Sequence, residues 1–205
     1  LPPYSCTLQN IITKQGESAG ETVALNNLFF EKNNRTEENK LITTKMDRYK
    51  AADDFAIIEL IRDKYTTKTS EFDMSPIGIS YTLNDTDFLG NMKDKTLCAV
   101  ICRSGEKASG GHYWTYLRLG ERWWYMNDSD SREVTDENNS GEITETKLKV
   151  YRHSTNAEME INPSVEISTN GLVFIYATDD ARYTDAIIPR GLKNPGLQCW
   201  QNASI

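Results

Sequence analysis

The sequence predicts an α+β fold built around an antiparallel sheet, on three observations. Beyond residue 70, short runs rich in aromatic and β-branched residues follow one another with polar turns between them. Upstream, residues 45 to 65 carry apolar side chains at near-helical spacing. Residues 198 to 205 read as the start of a helix behind a turn containing Gly and Pro. Strands gathered in the middle, with helices set apart, describe an antiparallel sheet with helices at one face or end.

Each element follows in order. LPPY leads into a strand, SCTLQNII. Residues 13 to 44 are polar and mixed, with an apolar knot, ALNNLFF, ahead of a charged run, EKNNRTEENK, and read as an insertion or long loop. Met46, Tyr49, Phe55, Ile58, Ile61 and Tyr65 mark the helix, its Lys, Asp and Arg residues forming the solvated face. The strands are TLCAVICR (96–103), HYWTYLRL (112–119), RWWYMND (122–128), LKVYRH (148–153) and GLVFIYAT (171–178). TDENNSGEITET is a polar loop, DDARYTDAIIPR a linker, and GLKNPGLQCWQNASI ends the chain.

Composition bounds the function. The 205 residues suffice for one domain with a real core, and 38% hydrophobic with 26% charged residues describes a soluble globular chain. A net charge of -7 argues against nucleic acid as a partner. No apolar run approaches the roughly 20 residues of a membrane span, so no membrane partner is expected. The first residues carry neither a basic nor an apolar leader segment, and the chain does not begin with Met, as an excerpt of something longer would not. Cys6, Cys98, Cys102 and Cys199 are too few for a disulfide framework, which favours a reducing compartment, cytoplasmic or nuclear. The N-x-S/T triplets at Asn34, Asn84, Asn138 and Asn202 read as chance in an Asn-rich chain.

The stretch SGGHYWTYLRLGERWWYMNDS (109–129) carries chemistry. Gly120-Glu121 is a two-residue hairpin signal, so Leu119 pairs with Arg122. That register puts His112 and Asn127 on one face, diagonal to each other, and Asp128 on the other. An Asn accepting from one ring nitrogen fixes the tautomer and frees the other nitrogen for proton transfer. A Cys-His-Asn or Ser-His-Asn system fits; a bulge would exchange Asp128 for Asn127. Cys98 and Cys102, four apart on one strand face, read as core residues without the partners a metal needs.

These residues resemble a known family. LCAVICRSGEKASGGHYWTYLRLGERWWYMNDSDSREVTDE is similar to the histidine box of the ubiquitin-specific proteases. FDMSPI (72–77) resembles their "LDLSPY" element, NGLVFIYAT their closing strand, and LPPY their "LPP" lead-in. GLKNPGLQCWQNASI resembles their cysteine box, "GL.NLGNTCYMNS.L", departing at Leu197, Gln198, Trp200 and Gln201. The likeness is good over about residues 71 to 178 and poor over 13 to 70. The histidine box here precedes the cysteine box, the reverse of the family order, which implies a permuted domain or an excerpt of tandem domains. The family's zinc-binding CxxC pairs are absent from the sequence.

The resemblance implies a papain-like cysteine protease with an antiparallel palm sheet, few helices and an incomplete thumb. Residues 1–180 would be the palm-type half, 13–70 an insertion, 181–190 a linker, and 191–205 the cysteine box and the start of the catalytic helix. It implies a deubiquitinase acting on ubiquitin or ubiquitinated proteins, without cofactor or metal. Cys199 would be the nucleophile, His112 the general acid and base, Asn127 or Asp128 the residue orienting it, and Asn194 the oxyanion-hole donor. Gly110, Gly111 and Tyr113 would line the channel for the ubiquitin tail. An inactive ubiquitin-binding or scaffold module is the alternative, and poor turnover is expected of the chain without a thumb.

Overall fold

The computed structural model describes residues 4–7, 23–24, 34–37, 40–43, 54–65, 70–83, 94–105, 110–135, 141–152 and 156–179. In chain order the strands are β1 (Tyr4–Thr7), β2 (Val23–Ala24), β3 (Asn34–Glu37), β4 (Lys40–Thr43), β5 (Phe55–Ile61), β6 (Asp63–Tyr65), β7 (Ser70–Phe72), β8 (Ile77–Gly78) and β9 (Thr82–Leu83). They continue with β10 (Lys95–Ser104), β11 (His112–Leu119), β12 (Arg122–Asn127), β13 (Asp130–Val134), β14 (Leu148–Arg152), β15 (Ala157–Ile161) and β16 (Gly171–Ala177). One helix, α1 (Pro163–Asn170), lies between β15 and β16. The main sheet has eight strands in the order β1-β5-β16-β10-β11-β12-β13, with β9 on the start of β10. All its pairings are antiparallel except β1 with β5.

Strict alternation decides which side of the sheet becomes the core. In register across four strands, Ile58, Phe174, Val100 and Tyr116 stand on one face, each fully buried. Their neighbours on that face, Ala56, Leu60, Tyr176, Cys102, Trp114, Trp123 and Tyr125, belong to the same buried cluster. Ile167 of α1 and Leu148, Val150 and Ile161 of the β14–β15 ribbon also belong to it. Trp123 is wholly buried and satisfies its indole N–H by donating to the Gly141 carbonyl at 2.9 Å.

Helix α1 starts where Asn162 caps it, accepting from the Val165 N–H at 3.2 Å, with Pro163 in the first turn. It is pinned at the other end by Arg62. That guanidinium, 1% exposed, donates to the carbonyls of Gly171 (2.8 Å), Ser168 (2.6 Å), Asp73 (2.9 Å) and Ser75 (2.9 Å). It therefore ties the helix end to the segment between β7 and β8. Asn170 adds a bond from Nδ2 to the Arg103 carbonyl at 2.9 Å.

Several expectations change. The helix expected over 45 to 65 is, where described, the two strands β5 and β6. FAIIELI fits both periods, and the strand wins because Ala56, Ile58 and Leu60 are buried at every second position. Arg62, expected on a solvated face, is buried for the reason just given. Inside the stretch expected to be a loop or insertion, β3 and β4 pair as a hairpin and β2 pairs with β8. β13, β15 and α1 are further elements that the sequence reading did not supply. The linker and the C-terminal helix start lie outside the described residues. Among the described residues no helix is long and apolar enough to cross a membrane.

Candidate active site

The site is built on the β11–β12 hairpin. Gly120, first of the two turn residues, has φ 59, as a turn with glycine leading requires. Leu119 pairs with Arg122, and the ladder runs to Thr115 opposite Met126. Alternation then puts His112, Trp114 and Tyr116 of β11 on the same face as Trp123, Tyr125 and Asn127 of β12. Asn127 ends its strand because the chain reverses through Asp128-Ser129 to pair Asn127 with Asp130. Asp128 takes φ 51 in that reversal, a left-handed conformation that Asp tolerates better than most residues.

This geometry brings the His112 Nε2 to 2.5 Å from the Asn127 Oδ1. A carboxamide oxygen only accepts, so with Oδ1 facing the ring Nε2 is the donor, which in a neutral imidazole leaves the lone pair on Nδ1. Asn127 is buried and its Nδ2 donates to the Tyr125 hydroxyl at 2.6 Å. Trp114 lies beside the imidazole, nearly parallel to it, with ring centroids 6.1 Å apart. His112 itself is half-exposed. Behind the pair, the Tyr116 and Tyr125 rings meet edge-on at 5.4 Å, and the Tyr116 hydroxyl donates to Glu166 of α1 at 2.9 Å. Burial first, and then the Glu166 carboxylate, push the Tyr116 phenol well up, so it remains a neutral donor.

The two cysteines on β10 are ill suited to nucleophilic work. Burial, and next the nearby Glu166, push the Cys102 thiol well above its ordinary range, which keeps it protonated. Cys98 is half-buried and its thiol donates to the Ile175 carbonyl at 3.3 Å. Among the described residues no group of three or more His, Cys, Asp or Glu side chains could hold a metal ion.

The glycines before His112 differ from each other. A Cβ on Gly111 would lie 2.2 Å from the Ser104 carbonyl oxygen, so β10 and the chain leading into β11 approach each other as only glycine allows. A Cβ on Gly110 would meet nothing within 4 Å. The Gly110 carbonyl instead accepts from Arg103 Nη2 at 2.6 Å, and the Arg103 guanidinium lies 4.9 Å over the Phe72 ring. Of the residues singled out from the sequence, His112, Asn127, Asp128, Gly110 and Gly111 gather at this end of the hairpin. Tyr113 is half-buried on the opposite face from His112. Cys199 and Asn194, and with them the expected closeness of Cys199 to His112, lie outside the described residues. Tyr125 went unnoticed, although a hydroxyl two residues before Asn127 is on its face by alternation alone.

A mostly antiparallel sheet with a helix packed on it, carrying a hydrogen-bonded His-Asn pair, describes an α+β domain of the papain-like cysteine-hydrolase class. The chain belongs to the ubiquitin carboxyl-terminal hydrolase family, which it matches over residues 16–176. The match begins well upstream of residue 71 and so takes in β5, the main-sheet strand inside the 13–70 stretch. Among solved structures, the SAGA Ubp8/Sgf11/Sus1/Sgf73 DUB module is similar at a TM-score of 0.50 and 12% identity, covering 85% of this chain and 32% of that one. That likeness is one of fold. A yeast SAGA DUB module with an Sgf73 mutant has a TM-score of 0.41 and 13% identity, over 60% of this chain and 23% of that one. A Ubp8 DUB module bound to monoubiquitin has 0.40 and 14%, with the same coverage. The chain thus spans about a third or less of the solved structures it resembles. No curated protein matches its sequence.

Proposed function

We propose that the chain supplies the histidine-bearing half of a thiol-dependent ubiquitin isopeptidase, and that its own Cys199 is the nucleophile. The observation that carries the reading is the His112 Nε2 to Asn127 Oδ1 hydrogen bond, found within the stretch that matches the hydrolase family. With Nε2 committed to Asn127, Nδ1 is the nitrogen available to the reacting groups. In this reading His112 takes the proton of the Cys199 thiol. The thiolate then attacks the carbonyl carbon of the C-terminal glycine of ubiquitin. The Asn194 amide and a backbone N–H receive the developing oxyanion. Collapse of the tetrahedral species breaks the C–N bond, and the imidazolium gives its proton to the departing lysine amine. Water, deprotonated by the same imidazole, then cleaves the thioester, returning the thiol and a free ubiquitin carboxylate.

Asp128 serves this reading through the turn that ends β12, and Gly110, Gly111 and Tyr113 flank the approach of the ubiquitin tail. No cofactor or metal takes part, and ubiquitin or ubiquitinated protein is the partner. The compartment proposed is cytoplasmic or nuclear, where a free thiol persists.

A ubiquitin probe with a C-terminal electrophile tests the proposal. A covalent adduct mapped to Cys199 and abolished by His112→Ala supports it. Reversible ubiquitin binding with no adduct would refute the enzyme and leave a ubiquitin-binding module. An adduct on another cysteine would refute the assignment of Cys199.

A further inference from the structure

We infer that Arg103 is a positioning residue that holds His112 from behind the sheet, by latching the Gly110-Gly111 segment that leads into β11. The inference rests on the reading of His112 given above.

His112 is the first residue of β11, so the ladder fixes it from one side only. Its placement depends also on the two residues before it, and both are glycine, the residue with the greatest backbone freedom. Gly110 is exposed, and a Cβ on it would meet nothing within 4 Å, so sterics leave its peptide plane free to turn. The bond that holds that plane comes from Arg103, whose Nη2 donates to the Gly110 carbonyl at 2.6 Å. Gly105 crowds the same group: a Cβ there would stand 2.7 Å from the Gly110 oxygen and 2.9 Å from the Gly111 Cα. The end of β10 and the lead-in to β11 are thus drawn together directly before the imidazole.

Arg103 is well placed for this task. In register, Ser104 stands opposite His112 and Arg103 opposite Tyr113, so the Arg103 side chain leaves the sheet on the face away from the imidazole. Its guanidinium lies 4.9 Å over the Phe72 ring of β7, and the residue is 3% exposed, so water cannot readily replace it. Its own carbonyl accepts from Asn170 Nδ2 at 2.9 Å, which ties the root of the latch to the end of α1. A planar guanidinium can lie on a ring and donate from its edge at once, whereas the ammonium of a lysine cannot match both contacts. With its side chain on the far face, Arg103 acts on turnover through the backbone of Gly110 and Gly111.

The test uses Arg103→Met, which keeps a long apolar side chain and removes the donors, and Arg103→Lys, which keeps the charge. Ile58→Ala is the control for lost stability, on a buried residue of β5, which β16 and β10 separate from β11. Backbone order parameters of Gly110 and Gly111 and the ring signals of His112 are read by NMR, which needs no activity. In the wild type both glycines should be as rigid as strand, with order parameters of about 0.8 or more; values under about 0.6 overturn the inference even if no variant folds. Arg103→Met should lower them below about 0.6 and shift the His112 ring signals, with Arg103→Lys between; unchanged spectra overturn it. Ile58→Ala should leave these signals in place, and an equal shift there would mean that they follow stability, not the latch. In turnover of a fluorogenic ubiquitin conjugate, Arg103→Met should lower kcat about 5- to 10-fold with KM within about twofold, and Arg103→Lys should recover part of the loss. A change in KM alone would put the effect on substrate binding and overturn the positioning of His112. A chain that shows the NMR effects but turns over no ubiquitin conjugate keeps the latch and loses the enzymatic reading. A chain that turns over normally in Arg103→Met keeps the enzyme and loses the positioning role.

Discussion

Adding one methyl group at Gly111 tests how the histidine is held. The new Cβ would stand 2.2 Å from the Ser104 carbonyl oxygen and 2.9 Å from Arg103 Nε. The side chain can swing away, but the carbonyl is backbone, in the last residue of β10, and it pairs with His112 itself. Restoring an ordinary contact needs the two backbones to part by about 1 Å, an overpacking that costs about 1–3 kcal/mol. Parting them also weakens the end of the ladder, worth about 1 kcal/mol. Gly111→Ala should therefore lose about 2–4 kcal/mol in urea denaturation and shift the His112 ring resonances. Gly110→Ala is the control for the fold, since its Cβ meets nothing, and its stability should stay within about 0.5 kcal/mol. If Gly111→Ala is as stable as Gly110→Ala and leaves the His112 signals unmoved, the close approach is not what places the imidazole.

Three other outcomes are expected. Arg62→Leu removes four charge-assisted bonds to carbonyls, offset in part by no longer burying a guanidinium, and should cost about 3 kcal/mol by denaturant midpoint; a loss under about 1 kcal/mol would refute it. Burial pushes up Cys102, Tyr116 and Tyr176, so the folded state holds protons that unfolded Cys and Tyr release near 9.0 and 10.0. Their contribution is complete below pH about 9 and is lost as pH rises, by about 1.4 kcal/mol per unit and per group; a stability curve flat to pH about 11 would contradict this. Asn127→Ala should lower kcat about 10- to 100-fold while leaving the affinity for ubiquitin, measured by calorimetry, nearly intact.

The legible parts of the fold were those whose chemistry is local. HYWTYLRL gave β11 with its limits, because a turn dipeptide and alternation both act within a few residues. The same register put Asn127 beside His112. β5 was misread because Phe55, Ile58 and Ile61 fit a helical spacing as well as a run of contiguous strand residues, and only the burial of alternate positions separates the two. β15 was hidden by an outward face of Glu158 and Glu160. α1 had a readable start in Asn162-Pro163, but its eight residues show little periodicity. Arg62 was out of reach for another reason: what makes it structural is four carbonyls distant in sequence or across a loop.

The ladder that carries the imidazole has a consequence for the order in which the chain acquires structure. His112 and Asn127 are 15 positions apart and Trp123 is 18 from Gly141, whereas Arg62 reaches Gly171 across 109 and Ile58 pairs with Phe174. Closing the short loops costs far less entropy than bringing β5 to β16. The β11–β12 hairpin, with the His-Asn contact already in it, is therefore suited to the folding nucleus, and docking of β5 to a late step. Lesions in the hairpin then slow folding, while lesions at Arg62 mainly hasten unfolding.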